Sequence, residues 1–402
     1  LFYFYKVKLT QDISFKNKTA LVRVDFNVPI SKTGIINDRT RIKSHVKTIN
    51  NIIDNGGKVI LVSHLGRPKG VWKKNLSLKN LVEAVSFESK RKVCFLDQKI
   101  GSKKLVENIS LTSRDEIILL ENIRFYKEEG SGDLLFCKNL SKLADVFVND
   151  AFGTAHRKHS STFHVAKYFN EKCIGDLFYK EYSSIFRVIN NFSSPLTAII
   201  GGAKISSKIN VIKSFMSFAD NILIGGGMMF TFIKSAGGEI GDSIFEEEEL
   251  EKAASLLEMA KKNNVNLIVP QDSINSRAFI DNEDYIISDS KSIPEGLIGL
   301  DIGPKSVSKF KNIISKSKTI VWNGPMGVFE FKNFSAGTKE IAEAVASVTK
   351  RGAFSLVGGG DSISALKKFG LYSEVSYIST GGGAMLHFLE TKKLPAVQAI
   401  LD

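Results

Sequence analysis

Apolar runs of strand length recur along the chain with helix-like segments between them, a pattern that predicts a parallel α/β sheet rather than an all-α or all-β protein. In the first half the runs fall at 20–24, 59–62, 93–96, 117–120 and 146–148. In the second half they fall at 196–200, 222–224, 267–269, 319–322, 354–357 and 375–378. The clearest helix covers 246–262, where acids lead and lysines close, as the helix dipole favours. A connecting helix over 181–191, followed by a turn-rich stop at 190–195, places a boundary between 172 and 195. No fixed-period repeat and no low-complexity segment interrupts this pattern.

At 402 residues the chain is long enough for two or three domains, and 43% apolar with 24% charged residues is ordinary globular composition. The most apolar opening stretch, 1–9, already carries Lys6 and Lys8 and is far short of the roughly 18 to 20 residues of a membrane span. We give its first five residues no function. Three cysteines at wide spacings, without a CxxC pair, write neither a disulfide framework nor a thiolate zinc site, and a reducing cytoplasm is expected. The net charge of +13 favours acidic partners such as nucleic acid, an anionic surface or phosphorylated metabolites. Only eleven of the 55 basic residues are arginine, so arginine at particular loops points to planar grip on phosphate or carboxylate, with accidental placement as the alternative.

Ligands of open parallel sheets sit beyond the carboxyl ends of the strands. In the first half those ends carry Arg23, Asp25 and Asn27, then His64 and Arg67, then Arg124, then His156 and Arg157, a basket for a small anion. In the second half they carry glycine: 201–202 before Ala203 and Lys204, 225–227, Gly324 between Asn323 and Pro325, 358–360 before Asp361, and 381–383. Glycine admits close backbone approach, and a helix N-terminus behind it offers free N–H groups to phosphate. Neither GxGxxG nor a Walker A loop is present, which disfavours a Rossmann dehydrogenase and a P-loop NTPase.

Asp361 either ligates a magnesium ion bridging nucleotide phosphates or caps the following helix. Lys204 and Lys208, four apart at a glycine-opened helix start, suggest a phosphate between them and the dipole, against the alternative of a solvated lysine pair. His156, His159 and His164 have no acid or cysteine among them, and His156 is read as an anion contact rather than a metal ligand. Cys94 is expected in the core, and Trp72 and Trp322 are read as packing residues, which leaves little support for nucleic-acid binding.

Eight strings then carry a resemblance: Arg23-Val-Asp-Phe-Asn-Val-Pro29, Ser63-His-Leu-Gly-Arg-Pro68, Glu121-Asn-Ile-Arg-Phe125, Asp150-Ala-Phe-Gly-Thr-Ala-His-Arg157, Gly201-Gly-Ala-Lys204, Gly299-Leu-Asp-Ile-Gly-Pro304, Trp322-Asn-Gly-Pro-Met-Gly-Val-Phe-Glu330 and Gly358-Gly-Gly-Asp361. In this order, over nearly the whole chain, they resemble the phosphoglycerate kinases. The resemblance implies two doubly wound parallel-sheet (Rossmann-like) domains joined by a hinge helix: 1–175 for 3-phosphoglycerate, 176–194 as connector, 195–388 for nucleotide, and 389–402 returning to the first domain. It implies reversible phosphoryl transfer from 1,3-bisphosphoglycerate to ADP, giving 3-phosphoglycerate and ATP with magnesium, in glycolysis and gluconeogenesis. A cytoplasmic monomer acting on small molecules, without nucleic acid or membrane, is expected.

Carried over onto this sequence, the triose-phosphate site comprises Asp25, Phe26, Asn27, Arg41, His64, Leu65, Gly66, Arg67, Arg124, His156 and Arg157. The nucleotide site comprises Gly202, Ala203, Lys204, Lys208, Gly226, Gly299, Asn323, Pro325, Gly327, Glu330, Gly359, Gly360, Asp361 and Ser362, with Glu330 on the ribose and Asp361 on the metal. The resemblance also implies that Arg41 and Lys204 face the transferring phosphoryl as catalytic residues. Ser207 stands where the family pattern has Asp, and Ser362 where Thr is common. The segments 175–182 and 271–275 also depart from that pattern. Phosphoryl transfer needs positioning and charge stabilisation, not a side-chain nucleophile, so the lack of a Ser-His or Cys-His set fits. The competing classes are a kinase of another phosphorylated acid and a non-enzymatic nucleotide or nucleic-acid binder.

Overall fold

A computed structural model describes residues 7–31 and 34–402; the opening patch 1–5 lies outside them. The chain divides into one compact unit of Leu1–Ser183 with Lys393–Asp402 and a second of Ser184–Lys392.

The first unit is built on β1 (Thr19–Arg23), β2 (Lys58–Val62), β3 (Val93–Leu96), β4 (Ile117–Leu120), β5 (Val146–Asn149) and β6 (Glu171–Ile174), in the order β3-β4-β2-β1-β5-β6. All its pairings are parallel, with Ala20 opposite Val59 on one side and Val146 on the other. Helices cover the sheet faces, so central strands such as β2 and β5 are buried along their length and read as unbroken apolar runs. The helix Thr40–Asp54 shows how one face is covered. Ile42, Ile49, Ile52 and Ile53 recur at helical spacing and pack on Val22, Val59 and Leu61. Each such side chain contributes roughly 1.5–3 kcal/mol by leaving water. Two members of that buried stripe are polar, His45 and Thr48. The terminal helix Pro395–Leu401 belongs to this unit, with Ala396 N–H donating to Ala155 C=O at 3.1 Å.

The second unit contains β7 (Leu196–Ile200), β8 (Asn221–Ile224), β9 (Glu239–Ile240), β10 (Asn266–Ile268), β11 (Asp272–Ser276), β12 (Tyr285–Asp289), β13 (Ser292–Ile293), β14 (Ile298–Ile302), β15 (Thr319–Asn323), β16 (Phe354–Gly358) and β17 (Tyr377–Ser379). Six of these form a second parallel sheet, β10-β8-β7-β15-β16-β17. A smaller antiparallel sheet, β12-β11-β14, and the pair β13-β9 stand beside it. Two parallel α/β sheets confirm the expected class, while the small sheets were not foreseen.

Several expectations need correction. The helix expected over 246–262 is regular only at Leu250–Lys262, because the Glu246 carboxylate accepts from Ser206 N–H and Oγ, leaving a 3-10 turn at Glu247–Glu249. Asp176–Asn190 is helical, starting five residues before the helix expected over 181–191 and at the first residue of the connector expected at 176–194. Cys94 is only half-buried on the edge strand β3. Trp72 is 61% exposed, with its ring against Phe125, whereas Trp322 is fully buried in β15.

Candidate active site

Where β1 ends, the backbone turns away from the sheet, and side chains take over its orphaned N–H groups. Asp25 N–H donates to His45 Nε2 at 3.0 Å, Phe26 N–H to Ser63 Oγ at 2.9 Å, and Gly66 N–H to Asn27 Oδ1 at 2.8 Å. The turn after β1 is thereby tied to the turn after β2. Asn122 Oδ1 accepts from Leu65 N–H at 3.3 Å and from Arg124 N–H at 3.1 Å, while Arg124 Nη1 donates to Gly66 C=O at 2.7 Å. Asp25, Phe26, Asn27, His64, Leu65, Gly66 and Arg124 are thus drawn into one network.

Cations crowd this network. Burial opposes ionisation of Asp25, but His64, Arg41 and Arg23 around it hold its carboxyl at about 2. Burial, helped by Arg23 and Arg157, pulls the Arg124 guanidinium down to about 10. His159 falls to about 4 through burial and the field of Arg124, Arg157 and Arg23. His64, buried beside the same guanidiniums, lies well below its ordinary range despite Asp25. Like charges held this close are strained until an anion joins them. Arg157 Nε donates to His156 Nε2 at 3.3 Å, and Arg67 is exposed.

Arg23, expected to face the anion, is instead 1% exposed. Its Nε donates to Ser161 Oγ at 2.9 Å, Nη1 to Val24 C=O, and Nη2 meets His64 Nδ1 at 3.1 Å. It supplies field from below, and Ser161 passes the contact to buried Glu129 at 2.7 Å. Glu129, which sequence reasoning missed, is pushed up by its burial. Arg41 is the second residue of the helix Thr40–Asp54 and Arg39 its N-cap.

In the second unit the glycine exits interlock. Gly202 N–H donates to Pro325 C=O at 3.0 Å and Gly226 N–H to Met326 C=O at 2.8 Å. At Gly226 (φ +66°) an added Cβ would lie 2.5 Å from Gly202 N, and at Gly324 (φ +97°) one would lie 2.2 Å from Gly201 O. Only glycine permits this packing of three loops. They floor a cavity of about 290 Å³ lined by the expected Gly202, Ala203, Gly226, Gly299, Pro325, Gly327, Glu330 and Asp361. Phe230, Ile244, Phe279, Leu300 and Val328 supply an apolar wall not read from the sequence.

The remaining expected nucleotide residues lie around this cavity rather than on its lining. Lys208 is the N-cap of the helix Ile209–Phe215, and Lys204 lies in the loop before it, exposed, so the two do not share a first helical turn as expected. Lys208 Nζ donates to Asn323 Oδ1, and burial lowers its ammonium against the pull of Asp361. Ser362 is buried, with its Oγ accepting from Gly324 N–H at 2.7 Å. Asn323 Nδ2 donates to Gly358 C=O at 2.7 Å, beside Gly359, and Gly360 opens the helix Gly360–Lys368. These residues brace the loops that form the cavity floor.

A nucleotide's magnesium is ordinarily held by one or two carboxylates together with the phosphates. The exposed Asp361 carboxylate, on the cavity lining in the first turn of a glycine-opened helix, suits that donor set. Among the described residues no group of three or more His, Cys, Asp or Glu is placed to hold a metal.

Guanidiniums gather at the strand ends of one parallel sheet and glycine loops at those of the other, a layout consistent with an α/β phosphotransferase. The family description "Phosphoglycerate kinase" matches residues 10–392, and the chain belongs to that family. It is 45% identical over 392 residues to "Phosphoglycerate kinase 3, cytosolic" of Arabidopsis thaliana, covering 97% of each chain. It is 46% identical to "Phosphoglycerate kinase" of Finegoldia magna, covering 98% of each. The solved phosphoglycerate kinase of Coxiella burnetii superposes with a TM-score of 0.89 at 36% identity, over 98% of both chains. The chain is accordingly a phosphotransferase with a carboxyl group as acceptor, of a family that uses ATP or ADP with magnesium.

Proposed function

We propose that the unit carrying the arginine cluster, whose main segment runs through residue 183, binds 3-phosphoglycerate, and that the unit at 184–392 binds the magnesium nucleotide. The observation that carries this reading is the clustering of Arg23, Arg41, His64, His156 and Arg157 at the strand ends of this unit, where burial together with the neighbouring guanidiniums lowers Arg124 and His159, a charge surplus that a multiply charged acid would relieve. In the transfer, Arg124, Arg157, His156 and Arg67 hold the acid, Asn27 and Asp25 orient it, and Arg41 meets the charge that develops on the moving phosphoryl. On the nucleotide, Lys204 and Lys208 meet phosphate charge, the N–H groups that open the helix Gly360–Lys368 face the phosphates, and Glu330 takes the ribose. Asp361 would hold magnesium, which supplies charge neutralisation between the phosphates when bound.

Such a transfer needs little covalent help from the protein, because its barrier falls through alignment and charge stabilisation. The acid and the terminal phosphoryl must come within about 3–3.5 Å in line, with water excluded so that hydrolysis does not compete. We extend the reading to a monomer in the cytoplasm, in keeping with the name of the cytosolic relative. No helix among the described residues is long and apolar enough to cross a membrane.

A coupled assay of ADP release from ATP and 3-phosphoglycerate, run beside other phosphorylated carboxylic acids, tests the reading. Preferred turnover of 3-phosphoglycerate is expected. Faster turnover of another acid, or none by folded protein, would overturn it.

A further inference from the structure

The buried imidazole in the apolar stripe of the helix Thr40–Asp54 has no role in the transfer as described. His45 is 1% exposed and stands one helical turn after Arg41, so both side chains reach the turn after β1 from the same helix face. They grip the same residue differently. Arg41 Nη1 holds the Asp25 carboxylate at 2.9 Å, whereas His45 Nε2 accepts the Asp25 backbone N–H at 3.0 Å.

A backbone N–H can only donate, so Nε2 must present its lone pair and the ring proton sits on Nδ1. That nitrogen lies 2.7 Å from Asp150 Oδ2, in a fully buried carboxylate. Asp150 Oδ1 in turn accepts from Leu177 N–H at 3.0 Å and Phe178 N–H at 3.1 Å, in the first turn of the helix Asp176–Asn190. Asp150 N–H donates to Arg23 C=O at 2.9 Å, which fixes the carboxylate against the end of β1. The edge of Phe26 against the imidazole, with ring centroids 5.7 Å apart, opposes rotation of the ring. Every polar side-chain atom of the pair therefore has a partner, and the pair has one available proton arrangement.

We propose that His45, locked in its Nδ1-protonated tautomer by Asp150, is a positioning residue for the anion site: it fixes the backbone of the turn from which Asp25 and Asn27 orient the acid. The proposal rests on the assignment of 3-phosphoglycerate to this unit. Removing the lock releases the turn that carries Asp25 and Asn27 and leaves the nucleotide cavity untouched.

Asp150→Asn provides the sharpest test, because it keeps the size and the cap acceptor but replaces the oxygen facing Nδ1–H with an amide donor. The ring must then accept at Nδ1 and carry its proton on Nε2, directly against the Asp25 N–H. The expected outcome is an increase in KM for 3-phosphoglycerate of about tenfold, the scale of one buried hydrogen bond lost. KM for ATP should stay within about twofold, since the exchanged atoms lie in the other unit. The ¹⁵N shifts of the His45 ring, which report where the proton resides, should exchange between Nδ1 and Nε2. In a His45→Ala background Asp150→Asn should add almost nothing, because the tautomer it inverts is gone.

Should Asp150→Asn fail to fold, His45→Gln and His45→Leu decide. The Gln amide can both accept from Asp25 and donate to Asp150 and should keep 3-phosphoglycerate affinity near that of the unaltered protein, whereas Leu, similar in size, should lose about tenfold. Multiplicative effects of the two substitutions, an unchanged KM, or equal affinity of the Gln and Leu variants would overturn the proposal. Arg124→Ala separates it from the reading beneath it. If that change abolishes 3-phosphoglycerate binding by calorimetry while the His45 and Asp150 variants are silent, only the positioning role falls. If it leaves binding intact, the substrate assignment falls and takes the positioning role with it.

Discussion

Arg41 donates from Nη1 to Asp25 Oδ2 at 2.9 Å, and the Arg41 side chain remains 34% exposed while Asp25 is at 11%. The carboxylate grips the guanidinium from one side. Two residues earlier, Arg39 lies over the Phe87 ring, 5.4 Å from its centroid, and has no part in this grip. An arginine aimed at a transferring phosphoryl contributes about 10³ to 10⁵ in rate. Arg41→Ala should lower kcat by about 10³ on that scale, and Arg39→Ala should stay within about twofold. Steady-state kinetics decides, and equal losses would contradict a transfer role held by Arg41 alone of the two.

On the proposed reading, Asp361 serves the other ligand. Its carboxylate lines the cavity of the second unit and also acts on Lys208. Asp361→Asn keeps the shape and removes the charge that a magnesium ion needs. Calorimetric titration should show magnesium-nucleotide binding weakened by about tenfold or more, the cost of one charged contact, with 3-phosphoglycerate binding unchanged. The reverse pattern would mean that the two units have exchanged ligands.

The arginine cluster makes its own prediction about protons. His159 sits at about 4 because burial and three guanidiniums oppose its charge. An anion among those guanidiniums raises His159 toward its ordinary range, so between the free and bound values binding takes up a proton and strengthens as pH falls. The phosphate of the acid itself titrates at about pH 6, so the His159 contribution is read as a difference. Calorimetry at pH 5 in two buffers of different ionisation enthalpy should give more proton uptake, by about one proton at most, on 3-phosphoglycerate binding by the unaltered protein than by His159→Gln, and at pH 8 the two should agree. Equal proton exchange by both proteins at pH 5 would show that the anion does not act on His159.

The sequence made the two large sheets legible because their strands are covered on both faces and therefore read as apolar runs. It hid β6, whose Glu171 and Lys172 open an edge strand, and it hid β11, Asp272–Ser276, whose five residues are mostly polar yet buried throughout. There the polar groups are satisfied locally. Asp272 accepts from Lys305 and Ser306 N–H at the start of a helix, and Asn275 Nδ2 donates to Ser288 Oγ and Ile286 C=O. The site was legible where chemistry is written in loop glycines and arginines. It was illegible where a side chain acts through another, as Glu129 does through Ser161, or where a polar residue occupies an apolar helix stripe, as His45 does.

Asp301, in the Gly299–Pro304 string, illustrates a site residue whose state comes from packing alone. It is 2% exposed, with Oδ1 accepting from Ile302 N–H at 2.9 Å and Oδ2 from Gly337 N–H at 2.7 Å. Gly327 and Gly337 close over it so tightly that a Cβ at either would lie 2.1 or 2.3 Å from Oδ1. Burial pushes its carboxyl up to about 8 from 3.8, against the pull of those two N–H groups. The folded value lies above the unfolded one, so the contribution is fully present below about pH 4 and is lost as pH rises through 8. Asp301→Asn has no such titration. Denaturant unfolding at pH 5 and at pH 8, at fixed ionic strength, should show the unaltered protein losing stability relative to the Asn variant, by at most about 1.4 kcal/mol per pH unit. Equal losses in both proteins, or a relative gain by the unaltered protein toward pH 8, would show that Asp301 is ionised across this range and that its two N–H partners outweigh its burial.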